Sequence, residues 1–130
     1  MTITLPITVL AFETDYGGVV SNTRYLEYIE RGRYALLHSV GLHSEEVWKA
    51  LEMIQVVRHV EIDYLAPARH EEELELQISV AGHGKTSTTL HYELRRESAL
   101  LLRASQTLAY INNRWRPCRV PQLFLDRLTT

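Results

Sequence analysis

Hydrophobic and polar residues alternate from the first positions, with Ile3, Leu5, Ile7 and Val9 on one side and Thr2, Thr4 and Thr8 on the other. A period of two belongs to a strand with one buried face, so residues 3–12 are expected to form one, and Pro6 marks it as an edge. From Asn22 to about Val40 the period changes. Tyr25, Leu26, Ile29, Leu36, Leu37 and Val40 recur at three- and four-residue steps, and Gly41 follows as a stop. This spacing predicts one long amphipathic helix of about 28 Å, with Glu27 and Arg31 paired on its wet side. Gly32 lies near the apolar stripe, where a missing side chain lets a helix approach a sheet at a cost of about 1 kcal/mol in propensity. Residues 44–51 predict a short second helix with Ser44 as its N-cap.

Strand patterns fill the rest. Ile54, Val56, Val60, Ile62 and Tyr64 alternate with mostly polar neighbours, and Arg58 is the one charge on their face. Leu74, Leu76, Ile78 and Val80 oppose Glu73, Glu75, Gln77 and Ser79, the pattern of a sheet with one wet face, and Leu90, Tyr92 and Leu94 continue it. Residues 100–111 are apolar on both sides, which suits a central strand or a subunit contact. Turn signals sit at Ala66 to Arg69, Gly82 to Lys85 and Asn112 to Arg114. One long helix against a largely antiparallel sheet is an α+β layer architecture.

Composition narrows the picture. A chain of 130 residues with 45% hydrophobic and 23% charged positions fits one globular domain spanning residues 1–130. A net charge of -2 offers no broad basic surface, so no nucleic-acid partner is expected. No apolar run approaches the roughly 20 residues of a membrane span. The single Cys118 cannot form an intrachain disulfide and the first ten residues lack secretory features, so a cytoplasmic setting is expected.

Several chemical motifs fail on inspection. Residues 81–87, AGHGKTS, end like a phosphate-binding P-loop, but Ser79 stands where the first glycine belongs and the segment joins two strands. His70-Glu71 begins like a zinc-protease motif, yet Leu74 occupies the second histidine's place, and no metal is expected. No G-x-S-x-G elbow is present. Arg58 on an apolar strand face must be paired, buried between subunits or turned to a ligand, and an ion pair is the expected answer. Asp15 remains. It precedes Gly17-Gly18 and the start of the long helix, where unpaired amides and the positive dipole end point back towards the turn. Taken alone, an aspartate there is more often a turn residue bonding backbone amides than a nucleophile or general base.

Residues 12–33, FETDYGGVVSNTRYLEYIERGR, and 56–69, VVRHVEIDYLAPAR, change those odds. With the pattern D-x-x-G-x-V-x-x-x-x-Y matched by Asp15, Gly18, Val20 and Tyr25, the chain resembles, over nearly its whole length, the hotdog-fold acyl-CoA thioesterases of the 4-hydroxybenzoyl-CoA thioesterase and YbgC type. The resemblance implies a five-stranded antiparallel sheet wrapped around the long helix, with subunits joining sheets and sharing active sites in a homodimer or homotetramer. It implies that Asp15 attacks the thioester carbonyl or activates water, while the backbone amide of Asn22 polarises the carbonyl. The substrate expected is a short-chain or aromatic acyl-CoA, with CoA as part of the substrate and no separate cofactor. Gly18, Tyr25 and Arg58 are candidate substrate contacts, and His83, Lys85 and Ser87 of the second hairpin are candidates for the nucleotide.

Two departures from the family stand out. Asn22 replaces a histidine found in many YbgC-like members, which leaves the backbone amide but opens the role of that side chain and the choice of substrate. Glu13 stands where aspartate is common, its longer side chain either altering the mouth of the pocket or having no effect there. Competing readings are a hotdog dehydratase or hydratase, and a non-catalytic module that binds acyl-CoA or acyl carrier protein.

Overall fold

Alternation and helical period become elements much as expected. In the computed structural model, which describes residues 1–129, β1 is Thr2–Thr8, α1 Asn22–Ser39, α2 Glu45–Leu51, β2 Met53–Tyr64, β3 Glu73–His83, β4 Ser87–Arg96, β5 Ala99–Asn112 and α3 Gln122–Leu128. The strands form one antiparallel sheet in the order β1-β3-β4-β5-β2, so β1 and β2 are its edges. Helix α1 lies across one face. The core there joins Tyr28, Ile29 and Leu36 of the helix to Leu76, Ile78, Leu90, Tyr92 and Leu108 of the sheet.

Gly32 explains how closely α1 approaches the sheet. A Cβ built on it would lie 2.8 Å from Leu76 Cδ2 and 2.9 Å from Ile78 Cγ1, so the backbone occupies space that a side chain would need. Elsewhere on α1 the local reading shifts. Leu26 is exposed and Tyr28 is buried in the core instead, while Glu27 pairs with Arg24 at 2.9 Å rather than with Arg31. Ser44 caps α2 as expected, its side chain accepting the Val47 N–H at 3.3 Å.

Three further differences have local causes. The first strand ends at Thr8, because residues 11–13 close into a 3₁₀ turn in which the Glu13 carboxylate accepts the Leu10 N–H at 2.9 Å. In β2 the register slips between Val57 and His59, leaving Arg58 as the extra residue of a bulge. An extra residue reverses the faces of everything beyond it. Ile54 and Val56 therefore oppose Ile111 and Ala109 on the outer face, whereas Val60 and Ile62 oppose Gln106 and Ala104 on the helix-covered face. The stripe read from the sequence as one face is thus two.

Helix α3 was not legible in the strand-rich pattern. It starts after Pro121 and seals the end of the core: Phe124 is fully buried, its ring 4.8 Å from that of Trp48 and 5.7 Å from that of Tyr110.

Candidate active site

The segment from Glu13 to Asn22 is a small, tightly bonded turn. Asp15 N–H donates to Val19 O at 3.0 Å and Gly18 N–H to Asp15 O at 3.0 Å, with Thr14 and Val20 bridged beneath. Gly18 has φ 70°, a left-handed conformation that a Cβ disfavours. Asp15 is exposed. Its Oδ1 accepts the Gly17 N–H at 3.1 Å, while Oδ2 has no partner among the described residues. The turn role thus leaves room for chemistry, since one oxygen holds the loop and the other stays open to solvent.

The helix start is also open. Ser21 occupies the N-cap with extended backbone, φ -64° and ψ 142°, but its side chain caps nothing. The Asn22 N–H, at the first helical position, has no acceptor among the described residues. An unpaired amide at the positive end of an 18-residue helix is a ready donor to a developing oxyanion.

The two sequence segments that carry the family resemblance meet here. Val20 N–H donates to Ala68 O at 2.9 Å, Val19 bridges Arg69, and His70 N–H reaches Gly18 O at 3.3 Å. Tyr25 is buried beneath this joint, its hydroxyl accepting the Ala68 N–H at 3.1 Å and its ring 5.4 Å from that of Tyr64. Burial pushes the Tyr25 phenol above its ordinary pKa, against the lowering effect of the Ala68 N–H, so the hydroxyl stays neutral. Tyr64 Oη donates to Asn22 O at 3.3 Å. Val20, Asn22, Tyr25, Tyr64, Leu65, Ala66 and Pro67 enclose a cleft of about 350 Å³ at the helix start.

Glu13 turns out to be an anchor. It is 5% exposed, and its Oε1 accepts both the Leu10 N–H and the Tyr28 hydroxyl, the latter at 2.8 Å. It points into the core, so of the two readings of its longer side chain the structure favours the one that leaves the pocket mouth unaltered. Desolvation, then the hydrogen bond to Glu13, raise the Tyr28 phenol far above its usual value and keep it a donor.

The other candidates lie elsewhere. Arg58 is exposed at the bulge of an edge strand and has no ion pair among the described residues, which overturns the expected pairing; the bulge turns it outward. His83, Lys85 and Ser87 belong to the β3–β4 hairpin at the far end of the sheet. Ten residue steps of β3, about 33 Å at strand rise, separate that hairpin from the loop that meets Asp15. There His83 and Lys85 line a separate cleft of about 610 Å³ together with Arg119 and Gln122. Within one chain these groups lie far out of reach of Asp15. Among the described residues no three His, Cys, Asp or Glu side chains converge to hold a metal, and no helix is long and apolar enough to cross a membrane.

An open carboxylate oxygen, an uncapped helix start and a tyrosine-braced loop lie around one small turn, and residues 9–128 match the family model described as the thioesterase-like superfamily. The chain belongs to that superfamily. It is 30% identical over 103 residues to the acyl-CoA thioester hydrolase YbgC of Escherichia coli O6:H1, covering 79% of this chain and 76% of that protein. It is 24% identical over 112 residues to the chloroplastic acyl-acyl carrier protein thioesterase ATL3 of Arabidopsis thaliana, covering 85% of this chain but only 58% of that longer relative. Among solved structures, a probable thioesterase from Bartonella henselae superposes with a TM-score of 0.86 at 27% identity, covering 93% of this chain and all of the other. The thioesterase-like chain thus has the hotdog fold, in which the α1 start and the β2–β3 loop meet.

Proposed function

We propose that this chain, a thioester hydrolase by family, cleaves a short-chain or aromatic acyl-CoA to the free acid and CoA, using Asp15 and the Asn22 amide. The observation that carries this reading is the pairing of an open Asp15 Oδ2 with an uncapped helix start on one small turn. A thioester carbonyl is electrophilic and thiolate is a good leaving group, so a carboxylate and one preorganised donor are sufficient machinery. Asp15 either adds to the carbonyl, giving an acyl-aspartyl anhydride that water opens, or takes a proton from the water that adds. In both routes the carbonyl oxygen gains negative charge facing the Asn22 N–H, and the C–S bond breaks with the electron pair leaving on sulfur. Gly18 keeps the turn in shape, and Tyr25 holds the Ala68 loop against it.

The reading includes a two-fold assembly through β2. That edge is 12 residues long, paired on one side only, and exposes Ile54 and Val57, features of a strand awaiting another strand. Antiparallel pairing of two such edges brings the hairpin end of one protomer towards the catalytic turn of its partner. His83, Lys85 and Ser87 then act on the partner's substrate.

The test is a panel of acyl-CoA esters with detection of free thiol. Wild-type protein releases thiol from at least one short-chain or aromatic ester, and Asp15→Asn lowers kcat about 100-fold or more, the scale of losing a positioned acid or base. Unchanged turnover in Asp15→Asn refutes the mechanism. Thermal stabilisation by CoA esters with no thiol release across the panel would instead make the chain a binding module.

A further inference from the structure

The hairpin after β5 displays Asn112-Asn113-Arg114-Trp115-Arg116 beyond the end of the sheet. No Asp or Glu occurs between Glu97 and Asp126, although the whole chain has a net charge of -2, so this stretch concentrates positive charge. Arg103 pairs with Asp63 on the sheet, but the guanidinium groups of Arg114, Arg116 and Arg119 have no ion-pair partner among the described residues. Trp115 is 76% exposed.

This display is built. Asn112 Oδ1 accepts the N–H groups of Arg114 at 2.9 Å and Arg116 at 3.2 Å. Trp115 N–H donates to Asn112 O at 2.9 Å, Asn112 N–H donates to Arg116 O at 3.0 Å, and Ile111 bridges Pro117. Trp115 itself has φ 59°, a left-handed conformation that is unusual for a bulky residue, and lies in sequence between two arginines. Beside the indole lies a recess of about 200 Å³ formed with Met53, Ile54, Ile111, Asn112 and Asn113.

We propose that this turn is a nucleotide clamp for the phosphoadenosine end of CoA, in which Trp115 stacks on the adenine and Arg114 and Arg116 engage the phosphates. A purine offers a flat face to the indole, and phosphate oxygens match the guanidinium fork. The recess has room for one base, not for a helix of a protein partner. Asn112 opposes Met53 in the strand ladder, so the clamp sits at the Met53 end of β2. The Tyr64 end, where the catalytic turn lies, is about 36 Å away along the strand, too far for one CoA molecule within a chain. Antiparallel pairing of two β2 edges puts the clamp of one protomer beside the catalytic turn of its partner, and in this respect the inference rests on the assembly proposed above.

The experiment compares an acyl-CoA with the N-acetylcysteamine thioester of the same acyl group, which lacks the nucleotide. Trp115→Ala raises KM for the CoA ester about tenfold, with kcat nearly unchanged, and leaves the truncated thioester unaffected. Trp115→Phe restores most of the loss. In parallel, adenosine 3′,5′-bisphosphate quenches tryptophan fluorescence of the wild type, more weakly as salt rises, and does not quench Trp115→Ala. Equal effects on both thioesters would mean a structural role and overturn the clamp, as would an unchanged KM for the CoA ester. A defect confined to thioesters carried on an acidic carrier protein would overturn it in favour of a protein-docking surface. If no thioester is hydrolysed but the bisphosphate still quenches through Trp115, the clamp stands and the hydrolase reading falls.

Discussion

Replacing Glu13 by alanine removes the acceptor that holds two donors, the Leu10 N–H at 2.9 Å and the Tyr28 hydroxyl at 2.8 Å, at a position only 5% exposed. A buried donor left without a partner costs about 1–3 kcal/mol, and the Leu10 amide is the more accessible of the two, so Glu13→Ala should cost roughly 3–4 kcal/mol. Tyr28→Phe removes one donor to a carboxylate, worth about 1.5–3 kcal/mol, and leaves the Leu10 bond in place. Because the two changes share one hydrogen bond, the double variant should fall short of additivity by about 1–2 kcal/mol. The assay is urea unfolding of all four proteins at one fixed protein concentration, so that self-association contributes equally to each. Glu13 also supplies the carbonyl that accepts the Ser21 N–H at 3.0 Å, so its displacement should lower kcat although its side chain touches no substrate. Additive energies, or a Tyr28→Phe cost below about 0.5 kcal/mol, would refute the claim that this pair anchors the turn that carries Asp15.

Further substitutions probe other joints. Gly32→Ala should destabilise by about 1–2 kcal/mol, because overpacking against Leu76 and Ile78 outweighs the gain in helix propensity; a rise in urea midpoint would show the helix to lie further from the sheet. Phe124→Ala should cost about 3–5 kcal/mol by leaving a cavity between Trp48 and Tyr110, and a loss under 1 kcal/mol would mean that α3 is not part of the core. Gly18→Ala should cost about 1 kcal/mol or more at its φ of 70° and reduce kcat further by distorting the turn, as steady-state kinetics beside unfolding would reveal. Burial raises the phenol pKa values of Tyr25, Tyr28, Tyr92 and Tyr110, so their neutral forms favour the folded state below the unfolded value of about 10. Stability should then fall as pH rises above about 10, and a urea midpoint unchanged from pH 8 to 11 would contradict this.

How far the sequence could be read depended on the range of the interactions involved. The cleanest alternations, at Leu74 to Val80 and Leu90 to Leu94, became strands whose buried residues were named correctly, because burial on a regular element repeats with its own period. Ser44 and Gly32 were legible for the same reason, each being interpretable from its place on one helix. The Arg58 bulge was not, since an added residue is defined only against the partner strand, and it reversed the faces assigned to Ile54 and Val56. Asp15 and Asn22 were legible as a candidate site because turn, carboxylate and helix start lie within eight residues. Glu13 could not be recognised as an anchor without Tyr28, which lies fifteen residues on and reaches it only through the turn.

Chemistry divides in the same way. By itself the sequence determined an α+β chain with one long helix, a Gly-Gly turn, a carboxylate before it and no metal or serine motif, all of which are local patterns. Tertiary structure decided that residues 19–20 bond to residues 68–69, that Tyr25 braces that joint, and that the β3–β4 hairpin stands at the opposite end of the sheet. It also gathered Arg114, Trp115 and Arg116 into one turn whose backbone is held by Asn112. The physical reason is that periodicity records which side of an element avoids water, whereas proximity across dozens of residues depends on strand register, bulges and packing that no single segment contains.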